Sequence, residues 1–471
     1  MAKKILIGGE WREGSETFAV NNPFSNELLA EVCSVDAEEN EEAIALSDGA
    51  TKEMRAMARF EIAKGLRQIA DSIERRKREF AELIALEAAK PIKLARGEVE
   101  RGIATFSWAA GEAERFTGEI VPVDTIALGK GKAAQTKWIP RGVVYGITPF
   151  NFPLNLVAHK VAPALASGNA IIIKPSQRTP LTALLLGETF LESGLPKSAL
   201  QIVPMDVKYI DAVYADERVK MISFTGSAEV GWHIKAKANR KMITLELGGS
   251  APVIVDETAD IEKSLEKTTT GAFAYAGQTC ISVQRIYVHK KLFDEWTTKF
   301  IENARRLKKG NPFDEATELS AMITEAAAEK AQNRVEEARQ NGAEILCGNV
   351  REKSLLDATV VTGTNPEMRV VSEEIFAPVA VVEPFTDFEE AVALSNQTKY
   401  GLQAGVFTNN LLNANYASET LEYGGVIIND APTFRVDNMP YGGVNDSGFG
   451  REGVRYAMEE MCESRLIVIN S

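Results

Sequence analysis

Val143-Val144-Tyr145-Gly146-Ile147 is followed by the turn Thr148-Pro149-Phe150-Asn151-Phe152-Pro153, a helical pattern over Ala158–Ala166, and Ala170-Ile171-Ile172-Ile173-Lys174. The two short apolar runs carry no polar alternation, so each reads as a strand covered on both faces. Strand, helix and strand at this spacing form the repeating unit of a parallel sheet.

Toward the C-terminus the pattern continues. Leu181–Ser193 is helical, Leu200–Val203 and Met221–Phe224 are strands, Ala228–Ala238 is a helix, and Ile243–Leu247 and Pro252–Val255 are strands. This alternation predicts an α/β fold with a doubly wound parallel sheet. A second α/β series has helices at Ile261–Ala276 and Phe293–Lys308 and strands at Arg285–His289, Glu344–Cys347, Thr359–Val361 and Val379–Glu383. Thr324 caps a helix running to about Gln340, Asn341-Gly342 stops it, and Arg465–Asn470 is a final strand. Toward the N-terminus, Lys4–Gly8 reads as a strand. The Ala-, Glu-, Arg- and Leu-rich stretch from Ala37 to Arg115 reads as consecutive amphipathic helices, one beginning at Pro91. Residues 118–139 predict a projecting β-hairpin. With no low-complexity linker between them, the two α/β series are expected to share an interface.

The chain has 471 residues, which at roughly 150 per domain points to about three domains. Its 53 Lys and Arg against 66 Asp and Glu leave a formal charge of −13, which argues against nucleic-acid or anionic-membrane partners. Cys33, Cys280, Cys347 and Cys462 form no CxxC pair, and His159, His233 and His289 add no zinc-ligand spacing, so no metal site is expected. Scattered single cysteines read as reduced thiols, hence a cytoplasmic protein. Met1-Ala2-Lys3-Lys4 before Ile5-Leu6-Ile7 does not read as a signal peptide, and no 18-residue apolar run predicts a membrane span.

Five segments carry candidate chemistry. In Ala276-Gly277-Gln278-Thr279-Cys280, a cysteine stands between a helix and a strand, where a nucleophile can be held and reached; a packing cysteine fits the segment equally well. Glu246, in Leu245-Glu246-Leu247-Gly248-Gly249, breaks an apolar strand. A buried carboxylate has the raised pKa of a general base, although a structural ion pair fits too. Asn151 follows the first strand of the series, where an amide can donate to an oxyanion or simply sit in a turn. Phe224-Thr225-Gly226-Ser227 leads a strand into a helix N-terminus suited to pyrophosphate, with an ordinary serine cap as the alternative. Lys174-Pro175-Ser176-Gln177 also ends a strand and could face a ribose or solvent.

Taken jointly and in this order, these segments resemble the aldehyde dehydrogenase superfamily over essentially the whole chain. Glu373-Glu374-Ile375-Phe376 and Ser447-Gly448-Phe449-Gly450-Arg451-Glu452 extend the match. A narrower resemblance is to the branch holding lactaldehyde and non-phosphorylating glyceraldehyde-3-phosphate dehydrogenases. The resemblance implies a Rossmann-type cofactor domain (residues 1–117 and 137–248), an α/β catalytic domain (249–447) and an oligomerisation element (118–136 and 448–471). It implies Cys280 as nucleophile, Asn151 as oxyanion donor, Glu246 as general base, and Lys160 and Glu452 as its proton relay. For NAD or NADP it implies Thr148, Phe150, Lys174, Ser176, Gln177, Gly226, Ser227, Gly231, Leu247, Gly248, Glu374 and Phe376.

Departures matter. Gln177 stands where NAD-preferring relatives have Glu, which removes repulsion of a 2′-phosphate and opens the site to NADP. Ala377, Met205 and Asn445 also depart, and nothing in the sequence explains Asn445. Arg101 and Arg435 match positions that meet a substrate anion, whereas Phe152 and Thr279 replace the Tyr and Arg of that branch. The expected substrate is a small hydroxylated or anionic aldehyde: lactaldehyde, glyceraldehyde-3-phosphate or a semialdehyde. A CoA-acylating semialdehyde dehydrogenase and a silent scaffold share the fold, but the first generally lacks the base glutamate and the second tends to lose the nucleophile. The hairpin is expected to pair with a partner's C-terminal strand in a homodimer or homotetramer.

Overall fold

The computed structural model describes residues 2–470; Met1 and Ser471, at the ends of the expected terminal segments, lie outside the described residues. The first α/β series builds an eight-stranded sheet. Its five central strands are parallel, in the order Leu200–Ile202, Ala170–Lys174, Val143–Ile147, Val219–Thr225, Met242–Glu246. Ile171, Ile172 and Ile173 are all fully buried, which is why the run shows no alternation. Chain order runs outward in both directions from Val143–Ile147, and a ligand crevice forms where that order reverses, beyond the ends of Val143–Ile147 and Val219–Thr225. Gly448–Phe449 adds antiparallel beside Met242–Glu246, placing Gly448 opposite Glu246.

The second series forms a seven-stranded sheet in the order Glu344–Cys347, Thr359–Thr362, Val379–Phe385, Val283–His289, Ala251–Val255, Gln403–Phe407, Gly425–Ile428. All neighbours are parallel except the first pair. The helical N-terminal region divides into Ala37–Ala56, Arg59–Arg75, Lys77–Ala88 and Ile92–Arg115. Asp36 and Glu39 close a capping box on the first, and Pro91 stands at the N-terminal boundary of the last without a side-chain cap. Thr324 accepts from the Ala327 amide at the helix start expected for it.

Two expectations are corrected. The helix expected over Ile261–Ala276 ends at Phe273. Tyr275, Ala276 and Gly277 then take φ of 50°, 52° and 65°, three left-handed residues that turn the chain toward Cys280. A Cβ on Gly277 would collide with the Ala377 carbonyl, so glycine is needed there. The hairpin strand Lys132–Pro140 pairs on one side with Ile120–Val121 and on the other with this chain's own Cys462–Asn470, not with a partner's strand. The physical reason lies at Arg141, whose amide and guanidinium donate to the Met461 and Glu460 carbonyls. That anchors the end of helix Val454–Glu460 beside Pro140 and delivers Cys462 to the nearest open edge.

Candidate active site

A cavity of about 350 Å³ opens at the reversal point of the first sheet. It is lined by Phe150, Asn151, Phe152, Gly226, Ser227, Glu246, Leu247 and Gly248 from the first series, and by Thr279, Cys280, Glu374, Phe376, Arg435 and Tyr441 from the second; Arg101 reaches it from helix Ile92–Arg115.

Cys280 is partly buried, and its Sγ lies 3.0 Å from Tyr441 Oη. Burial pushes its thiol up to about 11, opposed by the Tyr441 hydrogen bond and the Arg435 charge. Asn151 Nδ2 donates to the Gln278 carbonyl at 3.0 Å, tying the amide to the cysteine loop, and its Oδ1 is buried without a partner. Behind Asn151, buried Lys90 donates to the Asn151 carbonyl at 2.7 Å and pairs with Glu98. Glu98 accepts in turn from the Leu154 and Asn155 amides. Lys90 Nζ also sits 3.6 Å over the Phe152 ring.

Glu246 ends its strand with both carboxylate oxygens buried and unpartnered. Burial holds its pKa well above the usual carboxylate range, Glu452 reinforces this, and Arg435, Lys160 and Arg451 oppose it. Lys160 Nζ donates to Thr225 Oγ1 at 2.8 Å and to Glu452 Oε1 at 2.9 Å. Glu452 stays below the usual range: burial opposes this, but Lys160, His159 and Arg435 outweigh it. Asp437 takes His159 Nε2 at 2.7 Å and Arg101 at 2.8 Å. Arg435 lies 3.6 Å over the Tyr441 ring, and its Nε is buried without a partner.

At the other end, Ser227 caps helix Ala228–Lys237. A Cβ on Gly248 would collide with the Glu374 carboxylate, and one on Gly231 with Leu247, so both glycines permit close approach. Glu374 accepts from the Gly249 amide at 3.1 Å, and burial pushes it up to about 7. Phe150 and Phe376 meet edge to face at 5.9 Å. The reversal-point mouth, capped helix N-terminus, bare Gly226 and Gly248, and half-buried Glu374 together fit a dinucleotide.

The aldehyde dehydrogenase family model matches residues 11–467. The chain belongs to the aldehyde dehydrogenase family. It is 41% identical to a 3-sulfolactaldehyde dehydrogenase of Priestia megaterium over 467 residues, covering 99% of this chain and 98% of the relative. Aldehyde dehydrogenase 21 from Physcomitrella patens, solved with the reaction product succinate, superposes with a TM-score of 0.98 at 42% identity, over 100% of this chain and 99% of that one. Glyceraldehyde-3-phosphate dehydrogenase GapN of Methanocaldococcus jannaschii, complexed with NADP, gives 0.93 at 39% identity, over 98% and 100%.

In this aldehyde dehydrogenase the structure brings Cys280, Glu246, Asn151, Arg101, Arg435, Phe152 and Thr279 onto one cavity. Lys160 and Glu452 stand behind Glu246. Thr148, Lys174 and Ser176 lie at strand ends away from the lining. Thr148 donates its amide to the Lys174 carbonyl, and Ser176 Oγ accepts from the Arg178 amide. Gln177 lines a separate groove with residues 19–26. Sequence reasoning missed Tyr441, His159, Asp437, Lys90 and Glu98. Gly442-Gly443 beside Tyr441 is a usable signal; Glu98 lies in an ordinary helical pattern and Lys90 in the short connection before Pro91, and neither carries one. Among the described residues no helix is long and apolar enough to cross a membrane, and no group of three or more His, Cys, Asp or Glu could hold a metal ion.

Proposed function

We propose that the protein oxidises a small hydroxylated or anionic aldehyde to its carboxylic acid, using NAD or NADP and releasing the acid by hydrolysis. The observation that carries this is the opening of Cys280 and the unpartnered Glu246 carboxyl onto one cavity. Cys280 as thiolate adds to the aldehyde carbon, forming a thiohemiacetal. Asn151, held by Lys90 and the Gln278 carbonyl, supplies an amide to the developing oxyanion. When bound, the dinucleotide would supply the hydride acceptor, and Phe150, Gly226, Ser227, Leu247, Gly248, Glu374 and Phe376 of the cavity lining would hold it. The acyl group is left on Cys280 as a thioester. Glu246 then takes a proton from water, the hydroxide attacks the thioester carbon, and the acid leaves as the thiolate re-forms. Lys160 and Glu452 hold the charge balance behind Glu246 as its proton departs.

The named relatives act on sulfolactaldehyde and glyceraldehyde-3-phosphate or hold succinate, all with an anion remote from the reacting carbon. Here Arg101 and the unpartnered Nε of Arg435 offer the matching cations. The division of labour follows the two sheets, with the dinucleotide on residues 1–117 and 137–248 and the sulfur chemistry on 249–447. Exposed Ile120, Leu128, Leu466 and Ile469 on the hairpin and C-terminal strands support a homodimer or homotetramer. An aldehyde panel assayed with NAD and NADP, without CoA, tests this reading. Equal yields of reduced cofactor and acid are expected; a strict CoA requirement, or no reduction with any aldehyde, overturns it.

A further inference from the structure

Tyr441 places its hydroxyl on the reacting atom, 3.0 Å from Cys280 Sγ. The side chain is 3% exposed and fixed from several directions. Its amide and carbonyl exchange hydrogen bonds with the Glu452 backbone at 3.0 and 2.7 Å. Its ring lies under the Arg435 guanidinium and packs with Ile281 and Leu402. These contacts hold the phenol oxygen beside the sulfur.

We propose that Tyr441 is a catalytic residue of the reaction assigned above, its hydroxyl donating a hydrogen bond to Cys280 Sγ whenever that sulfur carries negative charge. The phenol is suited to donate because burial, and after it the Cys280 charge, keep its proton on well beyond the usual tyrosine range, with Arg435 opposing. The other charged groups facing Cys280 are Arg435, which favours the thiolate, and Glu374 and Glu246, which disfavour it. One donor therefore serves twice. It stabilises the thiolate before attack, and it stabilises the same thiolate as the leaving group when the thioester is hydrolysed. In the thioester the sulfur is uncharged and the bond weakens, so the stabilisation is concentrated on the two charged states.

The inference rests on Cys280 as nucleophile, and alkylation separates the two. In the full-length enzyme without cofactor, the rate of iodoacetamide addition to the Cys280 peptide is followed by mass spectrometry against pH. Tyr441→Phe, which keeps the ring under Arg435, should move the midpoint up by about one to two pH units, the worth of one charge-assisted hydrogen bond. Slower thioester hydrolysis should accompany it. Should the Phe variant fail to fold, Tyr441→Met also lacks the donor and should show the same shift. An unchanged midpoint in a folded variant overturns the proposal. Retention of activity after complete Cys280 alkylation of the unmodified enzyme instead overturns the nucleophile assignment.

Discussion

Lys160 Nζ lies 2.9 Å from Glu452 Oε1, and the two side chains are sealed from solvent at 0% and 2% exposure. A buried ion pair is a weak source of net stability, but breaking one strands a charge at a cost of about 3–5 kcal/mol. Glu452 also faces Arg435 at 3.3 Å, so Glu452→Gln leaves two buried cations short of a counter-charge. Chemical denaturation should show a loss of about that size. Because burial and then Glu452 raise Glu246, the same substitution should move the acidic limb of the kcat–pH profile to lower pH.

Glu246→Gln should uncouple oxidation from release. Attack by Cys280 and oxidation need no carboxylate at this position, whereas water activation does. Stopped-flow absorbance should show about one reduced cofactor per site, then turnover slower by about 10²–10⁴. Unaltered steady-state turnover would remove Glu246 from its role.

Activity and stability should run in opposite directions with pH. Cys280 is pushed up, chiefly by burial, and acts deprotonated, so kcat/KM should rise from neutral into alkaline pH; Glu246, also pushed up by burial, acts in acid release and shapes kcat. Glu87 and Glu374 are pushed by burial from 4.5 to about 7. The fold therefore favours their protonated forms, and the stability this contributes below pH 4.5 is lost as pH rises through about 7. Asp437 and Glu452 are held below their ordinary values, so they stay ionised across that interval and lose their contribution only in stronger acid. The thermal midpoint should fall between pH 5 and 7.5 while kcat/KM climbs; parallel rises in both would contradict the assignment.

Gly277→Ala should damage the nucleophile loop. The position has φ of +65°, and the added methyl meets the Ala377 carbonyl. Strain of this kind is worth about 1–3 kcal/mol. A lowered denaturation midpoint and slowed Cys280 alkylation are the expected readouts.

Arg101→Ala should raise KM for anionic aldehydes by about 10–100-fold, the worth of one charge-assisted hydrogen bond, with little change for uncharged ones. Equal effects on both substrate classes would reduce Arg101 to the structural partner of Asp437.

Much of this protein is legible along the chain. The unbroken apolar runs at Val143–Ile147 and Ala170–Lys174 determine a parallel sheet, since a strand covered on both faces has no use for polar residues. Glu246 stands out because a carboxylate breaks an apolar strand before two glycines, whereas Cys280 is legible only through the joint order of the motifs around it. What the chain order could not reveal are contacts between residues far apart in sequence. Tyr441 meets Cys280 across 161 positions and Lys160 meets Glu452 across 292. The C-terminal strand chose its own chain's hairpin because helix Val454–Glu460 delivers it there, a matter of packing rather than composition. Local pattern determined which residues must be buried; tertiary structure decided which of them share the buried space, and in a low-dielectric interior that company sets each charge.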